Sequence, residues 1–194
     1  MIKVLFAAIV LTLVPATYAC AQWELQGKYS EGLAMVVNSD GKYGFIDKEG
    51  KVVVPCKWEL AGDFSEGMTF VEDELGRYGY IDKAGKVVIP CKWEGAFDFS
   101  EGLAPVMDPN MKWGYIDKEG KVVIPCKWGA TSGFSEGLAP VMEAFEKWGY
   151  IDKAGKVVIP CKWKDANGFS EGQASVTDDN GMHTIDKTGQ IVNR

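Results

Sequence analysis

The chain has 194 residues, of which 46% are hydrophobic and 25% charged, a composition that folds and argues against disorder. Its formal net charge of −6 supplies no basic stripe, so nucleic acid is excluded as an expected partner. Length alone is compatible with one domain.

The first residues read as a leader. Lys3 precedes an apolar run, Val4 to Val14, broken only by Thr12. Pro15 and the small-residue stretch Ala19-Cys20-Ala21 follow. The run is too short for a membrane span, so the sequence predicts a signal peptide over residues 1–21, cleaved between Ala21 and Gln22. An alternative makes Cys20 a lipidated first residue, which would be the chain's sole link to a membrane; Thr17 and Tyr18 fit that signal poorly. Secretion, a periplasmic site or surface display is the expected location in either case.

Residues 22–194 form one repetitive domain. Phe64-Ser65-Glu66-Gly67 returns at Phe99, Phe134 and Phe169, and Tyr29 opens the first copy, a spacing of 35 each time. Trp23, Trp58, Trp93, Trp128 and Trp163 keep the same spacing, as do Cys56, Cys91, Cys126 and Cys161. The copies are 23–57, 58–92, 93–127, 128–162 and 163–194, with one residue lost in the last. In the third copy the expected strands are 103–107, 113–117 and 121–125, rich in aromatic and β-branched residues and bounded by Gly, Pro and Asp. Asp117-Lys118-Glu119-Gly120 predicts a hairpin turn closed by a positive-φ glycine, and the same turn occurs in every copy. The preceding loops vary: Asn38-Ser39-Asp40-Gly41, then residues 72–76, 108–111 and 143–146.

One unit holds too little apolar surface to offset the ordering of its own backbone, so neighbouring copies must share a core. The expected fold is all-β, a tandem array of five three-stranded β-meanders. No copy is split between the chain ends, which favours an open, solenoid-like array; a five-bladed propeller-like ring is the alternative.

Three linked motifs carry a family resemblance. Trp113-Gly114-Tyr115-Ile116-Asp117-Lys118, Gly120-Lys121-Val122-Val123-Ile124-Pro125 and Phe134-Ser135-Glu136-Gly137-Leu138-Ala139 resemble the WG-repeat, or KWG, family of bacterial β-rich repeats. The dipeptide is intact at Trp113-Gly114 and Trp148-Gly149, becomes Tyr43-Gly44 and Tyr78-Gly79 earlier, and decays to Met182-His183 in the last copy, which reads as a cap. The resemblance implies export or surface association and supplies no catalytic residue set.

Nothing in the residues points to catalysis. Hydrolytic chemistry needs different groups converging on one point, whereas a repeat offers copies of one group. His183 is the single histidine and stands at a glycine-equivalent position. The ladders Glu31, Glu66, Glu101, Glu136, Glu171 and Asp47, Asp82, Asp117, Asp152, Asp186 place every carboxylate in an equivalent setting, unlike the two distinct carboxylates of a glycosidase, and turn capping accounts for them. Asp178-Asp179-Asn180-Gly181 lacks the spacing and distal Glu of a calcium loop and reads as a turn. No metal site and no cofactor is expected.

The four repeat cysteines form an even set in an exported chain, which points to disulfides. In stacked meanders equivalent cysteines lie ~14 Å apart, beyond bridging distance. Free thiols at Cys56, Cys91, Cys126 and Cys161 are therefore expected. The aromatic residues Trp58, Trp93, Trp128, Trp163, Trp113, Trp148, Tyr43 and Tyr78 have two readings. They form a multivalent row of binding faces, or they pack the core, with Gly114 making room for a ring such as Trp93. The function that follows is an exported, non-enzymatic scaffold binding an unknown protein through its repeat face and variable loops, with carbohydrate binding by the aromatic row as the alternative.

Overall fold

The structure, a computed structural model, describes residues 23–143 and 147–192. The expected leader, with Cys20, Ala21 and Gln22, lies outside the described residues, as does part of the fourth variable loop. No helix occurs among the described residues; none therefore is long and apolar enough to cross a membrane.

Strands follow one another with short links. The first sheet is β1 (Trp23–Leu25), β2 (Ala34–Asn38), β3 (Tyr43–Ile46) and β4 (Val52–Trp58). The second is β5 (Leu60–Ala61), β6 (Met68–Glu72), β7 (Tyr78–Asp82) and β8 (Val87–Trp93). The third is β9 (Gly95–Ala96), β10 (Ala104–Met107), β11 (Trp113–Ile116) and β12 (Val122–Trp128). The fourth is β13 (Ala130–Thr131), β14 (Leu138–Glu143), β15 (Lys147–Asp152) and β16 (Val157–Trp163). The fifth is β17 (Asp165–Ala166), β18 (Gln173–Asp178) and β19 (Gly181–Asp186). Within each sheet the strands neighbour one another in chain order and run antiparallel. The expected meander is thus present in the first four units, each of which gains a further short first strand. Two residues long in units two to four, that strand leaves no alternation to read. A single residue, Glu59, Glu94, Gly129 or Lys164, separates the last strand of one sheet from the first strand of the next.

The core lies between sheets. Leu103, Tyr115, Ile124 and Trp128 of the third unit close on Phe134, Ala139, Val141 and Ile151 of the fourth. Met68, Tyr80, Ile89 and Trp93 meet Ala96, Phe99, Ala104, Val106 and Ile116 in the same way. Alternation along each strand produces this: Tyr115 points to the following unit and Ile116 to the preceding one. On the fifth sheet, Gln173 replaces the Leu or Met of the other copies, and Thr184 replaces the Phe or Tyr. Its far face is polar, as a cap requires.

The edge strand of each full unit carries an exposed lysine and a proline, Pro90 and Lys92 on β8 for example. Proline offers no amide to a foreign strand, and lysine resists burial, so these edges are protected against further pairing.

The WG-type glycine serves a different purpose from that expected. A Cβ at Gly114 would stand 2.5 Å from the Ile124 carbonyl oxygen and 2.7 Å from the Cys126 nitrogen. No ring occupies that space; the β11 and β12 backbones approach there because the register shifts between Trp113 and Tyr115. Gly44, Gly79 and Gly149 meet the same backbone atoms at 2.5 and 2.7 Å.

Cysteine state also departs from expectation. Cys91, Cys126 and Cys161 are half-buried thiols, whereas Cys56 is disulfide-bonded. No bridge joins Cys91, Cys126 and Cys161 to one another, as their spacing in stacked meanders requires.

Candidate functional site

Two families of acids recur along the array, one within the units and one between them. Asp47 Oδ1 accepts the Glu49 and Lys51 amides at 3.1 and 2.8 Å, and Asp82 and Asp152 do the same in their turns. These are the expected turn caps. The glutamates do something the sequence reading missed. Glu66 sits at φ +53°, and its carboxylate reaches the next unit, accepting the Gly102 amide at 3.1 Å and pairing with Lys118 at 3.2 Å. Lys118 also donates to the Glu66 carbonyl, and Ser65 Oγ donates to the Phe99 carbonyl at 2.7 Å. Glu31, Glu101 and Glu136 repeat the arrangement with Lys83, Lys153 and Lys187. Lys83 beside Glu31 and Lys187 beside Glu136 hold those carboxyls below their ordinary range. Among the described residues no such bond joins Ser170 or Glu171 of the fifth unit to the first. The ladder runs open-ended.

Of the expected binding aromatics, Trp58, Trp93, Trp128 and Trp163 are corrected: they are 7%, 7%, 1% and 3% exposed and belong to the core. A lysine ammonium covers each ring, Lys127 over Trp128 at 4.6 Å for one, and each Nε1 is buried without an acceptor, so packing holds these rings. Tyr43, Tyr78, Trp113 and Trp148 are half-buried. They stand at the same strand position in successive sheets, and their accessible edges remain candidates.

What distinguishes one part of the array is where the copies differ. At one position the residues run Gly27, Gly62, Phe97, Ser132, Asn167; at the next, Lys28, Asp63, Asp98, Gly133, Gly168. Phe97 is 45% exposed, and its ring stacks on Trp113 with centroids 4.8 Å apart and planes 7° from parallel. In the second unit Phe70 plays that part against Tyr78, with centroids 6.0 Å apart. Gly62 makes this possible, since a Cβ there would lie 2.3 Å from the Phe70 ring. Units two and three therefore each present an aromatic pair by different substitutions: Gly62 with Phe70, and Phe97 with Pro105.

Asp98 stands between these pairs. The same Gly62 Cβ would lie 2.7 Å from Asp98 Oδ1, which is buried and receives no hydrogen bond. Burial and the charge of Asp63 push the Asp98 carboxyl up to about 6. Tyr80 donates to the Phe97 carbonyl at 2.8 Å and fixes the backbone beside Asp98. Sequence reasoning missed Phe70, Phe97, Asp63 and Asp98 because it sought what repeats; comparing the copies for what does not repeat finds them.

His183 pairs with Asp178 at 2.9 Å and lies 6.2 Å from the Trp163 ring. Asp178 and Gly181 close the hairpin around Asp179-Asn180, the turn expected there. Among the described residues no group of three or more His, Cys, Asp or Glu side chains lies in metal-holding proximity.

Comparison with known proteins follows the same repeat. The family described as WG containing repeat matches residues 43–74, 78–108, 113–143 and 148–181, more than half of the chain. No curated protein matches the sequence. The computationally designed Ika8 protein superposes with a TM-score of 0.57 at 11% identity, over 86% of this chain and 59% of that one. BamB from Moraxella catarrhalis gives 0.51 at 13% identity, over 84% and 57%. The WD40 beta propeller domain of Doa1 gives 0.48 at 12% identity, over 87% and 70%. The chain thus spans less than two thirds of the length of Ika8 and of BamB, and the likeness to them is one of fold.

Proposed function

The chain belongs to the WG-repeat family, and from that premise we propose that it is an exported, non-enzymatic scaffold that binds a protein partner through the aromatic face of its second and third units. The observation that carries this reading is the Phe97–Trp113 stack, where a phenylalanine ring 45% exposed is held parallel to an indole on a rigid sheet. Rigid aromatic anchors of this kind lose little entropy on binding and dominate interface energetics. The acid ladders support the non-enzymatic part, since their carboxylates are engaged in turns and in inter-unit bonds. The apolar run Val4 to Val14 supports export.

Phe97→Ser tests the reading, because Ser132 occupies the equivalent position in the fourth unit and the fold accommodates it. Affinity capture from an envelope fraction is expected to yield a protein with the unaltered chain and to lose it with the variant; equal capture by both contradicts the proposal. Carbohydrate binding is the second reading, favoured by the same flat rings beside carboxylates that accept hydroxyl protons. A glycan array giving signal that Trp113→Ala abolishes would select it.

A further inference from the structure

The junction of the second and third units combines features found together nowhere else among the described residues. Two aromatic pairs, Phe70 with Tyr78 and Phe97 with Trp113, flank it, and Asp63 and Asp98, which the other copies replace by Lys or Gly, directly follow Gly62 and Phe97 in the chain. Asp98 is half-buried, so one side of its carboxylate packs over Gly62 beside the Phe70 ring while the other keeps access to solvent. Every ion pair among the described residues uses other acids, leaving Asp63 and Asp98 without a cation. A partly desolvated carboxylate beside a second negative charge lowers its free energy by acquiring a counter-charge. Ring faces next to it favour the same kind of group, because their quadrupoles attract cations.

Taking the protein-binding reading above as its premise, we infer that Asp98, assisted by Asp63, receives a lysine or arginine side chain of the partner, seated between the Phe70–Tyr78 and Phe97–Trp113 ring pairs. The ammonium or guanidinium donates to the open oxygen of Asp98, and its methylene stem lies along the exposed Phe97 ring. The specificity comes from the junction itself. In the fourth and fifth units Gly133 and Gly168 remove the carboxylate, and in the first unit Lys28 replaces it with a cation.

The probe is an acetylated, amidated tetralysine peptide titrated into the folded chain, with the indole N–H resonance of Trp113, identified by its absence in Trp113→Tyr, as the readout. The peptide is expected to shift that resonance. Asp98→Asn is expected to weaken binding by roughly fivefold or more, the scale of one desolvated cation contact. Glu119→Gln, which removes the same charge from an exposed turn of the same unit, is expected to change it less than about twofold. Equal weakening by the two variants overturns the inference, since the peptide is then sensing net charge alone. No shift of Trp113, or a shift produced by neutral oligosaccharides and indifferent to Asp98→Asn, overturns it as well. The two proposals fail separately. Peptide binding lost in Asp98→Asn while partner capture is unaltered by Phe97→Ser keeps the cation site and removes the scaffold reading of this face.

Discussion

Replacing Gly114 by alanine probes the feature on which every unit depends. The added methyl would meet the Ile124 carbonyl oxygen at 2.5 Å, the Cys126 nitrogen at 2.7 Å and Cys126 Sγ at 2.8 Å. Two of these are backbone atoms of the neighbouring strand, so no rotamer change relieves the overlap. The strands must separate by the better part of an ångström, stretching the ladder around Tyr115 and Ile124. Loss of one or two hydrogen bonds at about 1 kcal/mol each, with about 1–3 kcal/mol of overpacking strain, sets the cost. Against it stands the gain of about 0.4–1 kcal/mol that alanine brings by restricting the unfolded chain. A net destabilisation of about 2–4 kcal/mol follows. Gly168→Ala is the control, since its Cβ would find only Ser135 Cβ at 3.8 Å, and a gain of about 0.5 kcal/mol is expected there. Urea unfolding followed by tryptophan fluorescence measures both. If Gly114→Ala is as stable as the unaltered chain, or matches the control, the close approach of β11 and β12 is wrong.

The remaining expectations concern charge and sulfur. Asp98 has its folded pKa raised from 3.8 to about 6, so its unfavourable contribution is absent below the unfolded value and grows as pH rises through the folded one. Linkage sets an upper bound of roughly 3 kcal/mol, which solvent access reduces to about 1 kcal/mol. Asp98→Asn should therefore stabilise at pH 7.5 and not at pH 3.5 in the same urea assay; destabilisation at pH 7.5 would refute the assignment. Glu31, Glu101 and Glu136 carry the opposite sign: their pKa values are lowered from 4.5, so their contribution is complete above that value and is lost as pH falls through the depressed ones. Glu66→Ala removes the acceptor of the Gly102 amide and should cost about 1 kcal/mol; no change in midpoint would show the ladder to be idle. Burial raises the Cys91, Cys126 and Cys161 thiols from 9.0, so all three should alkylate more slowly at pH 8 in the folded chain than after denaturation. Peptide mapping without reductant should find all three modified; any of them recovered unmodified would contradict the free thiols.

The sequence made local features legible and contacts between like copies illegible. Asp117 and Gly120 are read directly as a turn because the carboxylate, the amides it accepts and the positive φ lie within a few residues. The shared core followed from the size of one unit, and Tyr115 and Ile116 take opposite faces as strand alternation requires. In the sequence Glu66 looks like a turn residue, because its partners, Gly102 and Lys118, lie 36 and 52 residues away, a separation no local pattern exposes. Gly114 reads as making room, but the sequence does not say for what; a shifted register admits backbone where a ring would also fit the pattern. Sequence alone does not assign Trp93 to core or binding face, because both uses select the same residue, and only its 7% exposure decides. The candidate site escaped because periodicity draws attention to conserved spacing, while Phe97 and Asp98 interrupt it.

The central claim, that the second and third units hold the binding face, is tested most directly by hydroxyl-radical footprinting of the chain with and without its captured partner. The account predicts that Phe97, Trp113 and Tyr78 become protected in the complex while the exposed Val122, Val123 and Met182 react as before. Protection confined to those valines or to Met182, with Phe97 still reactive, would contradict it.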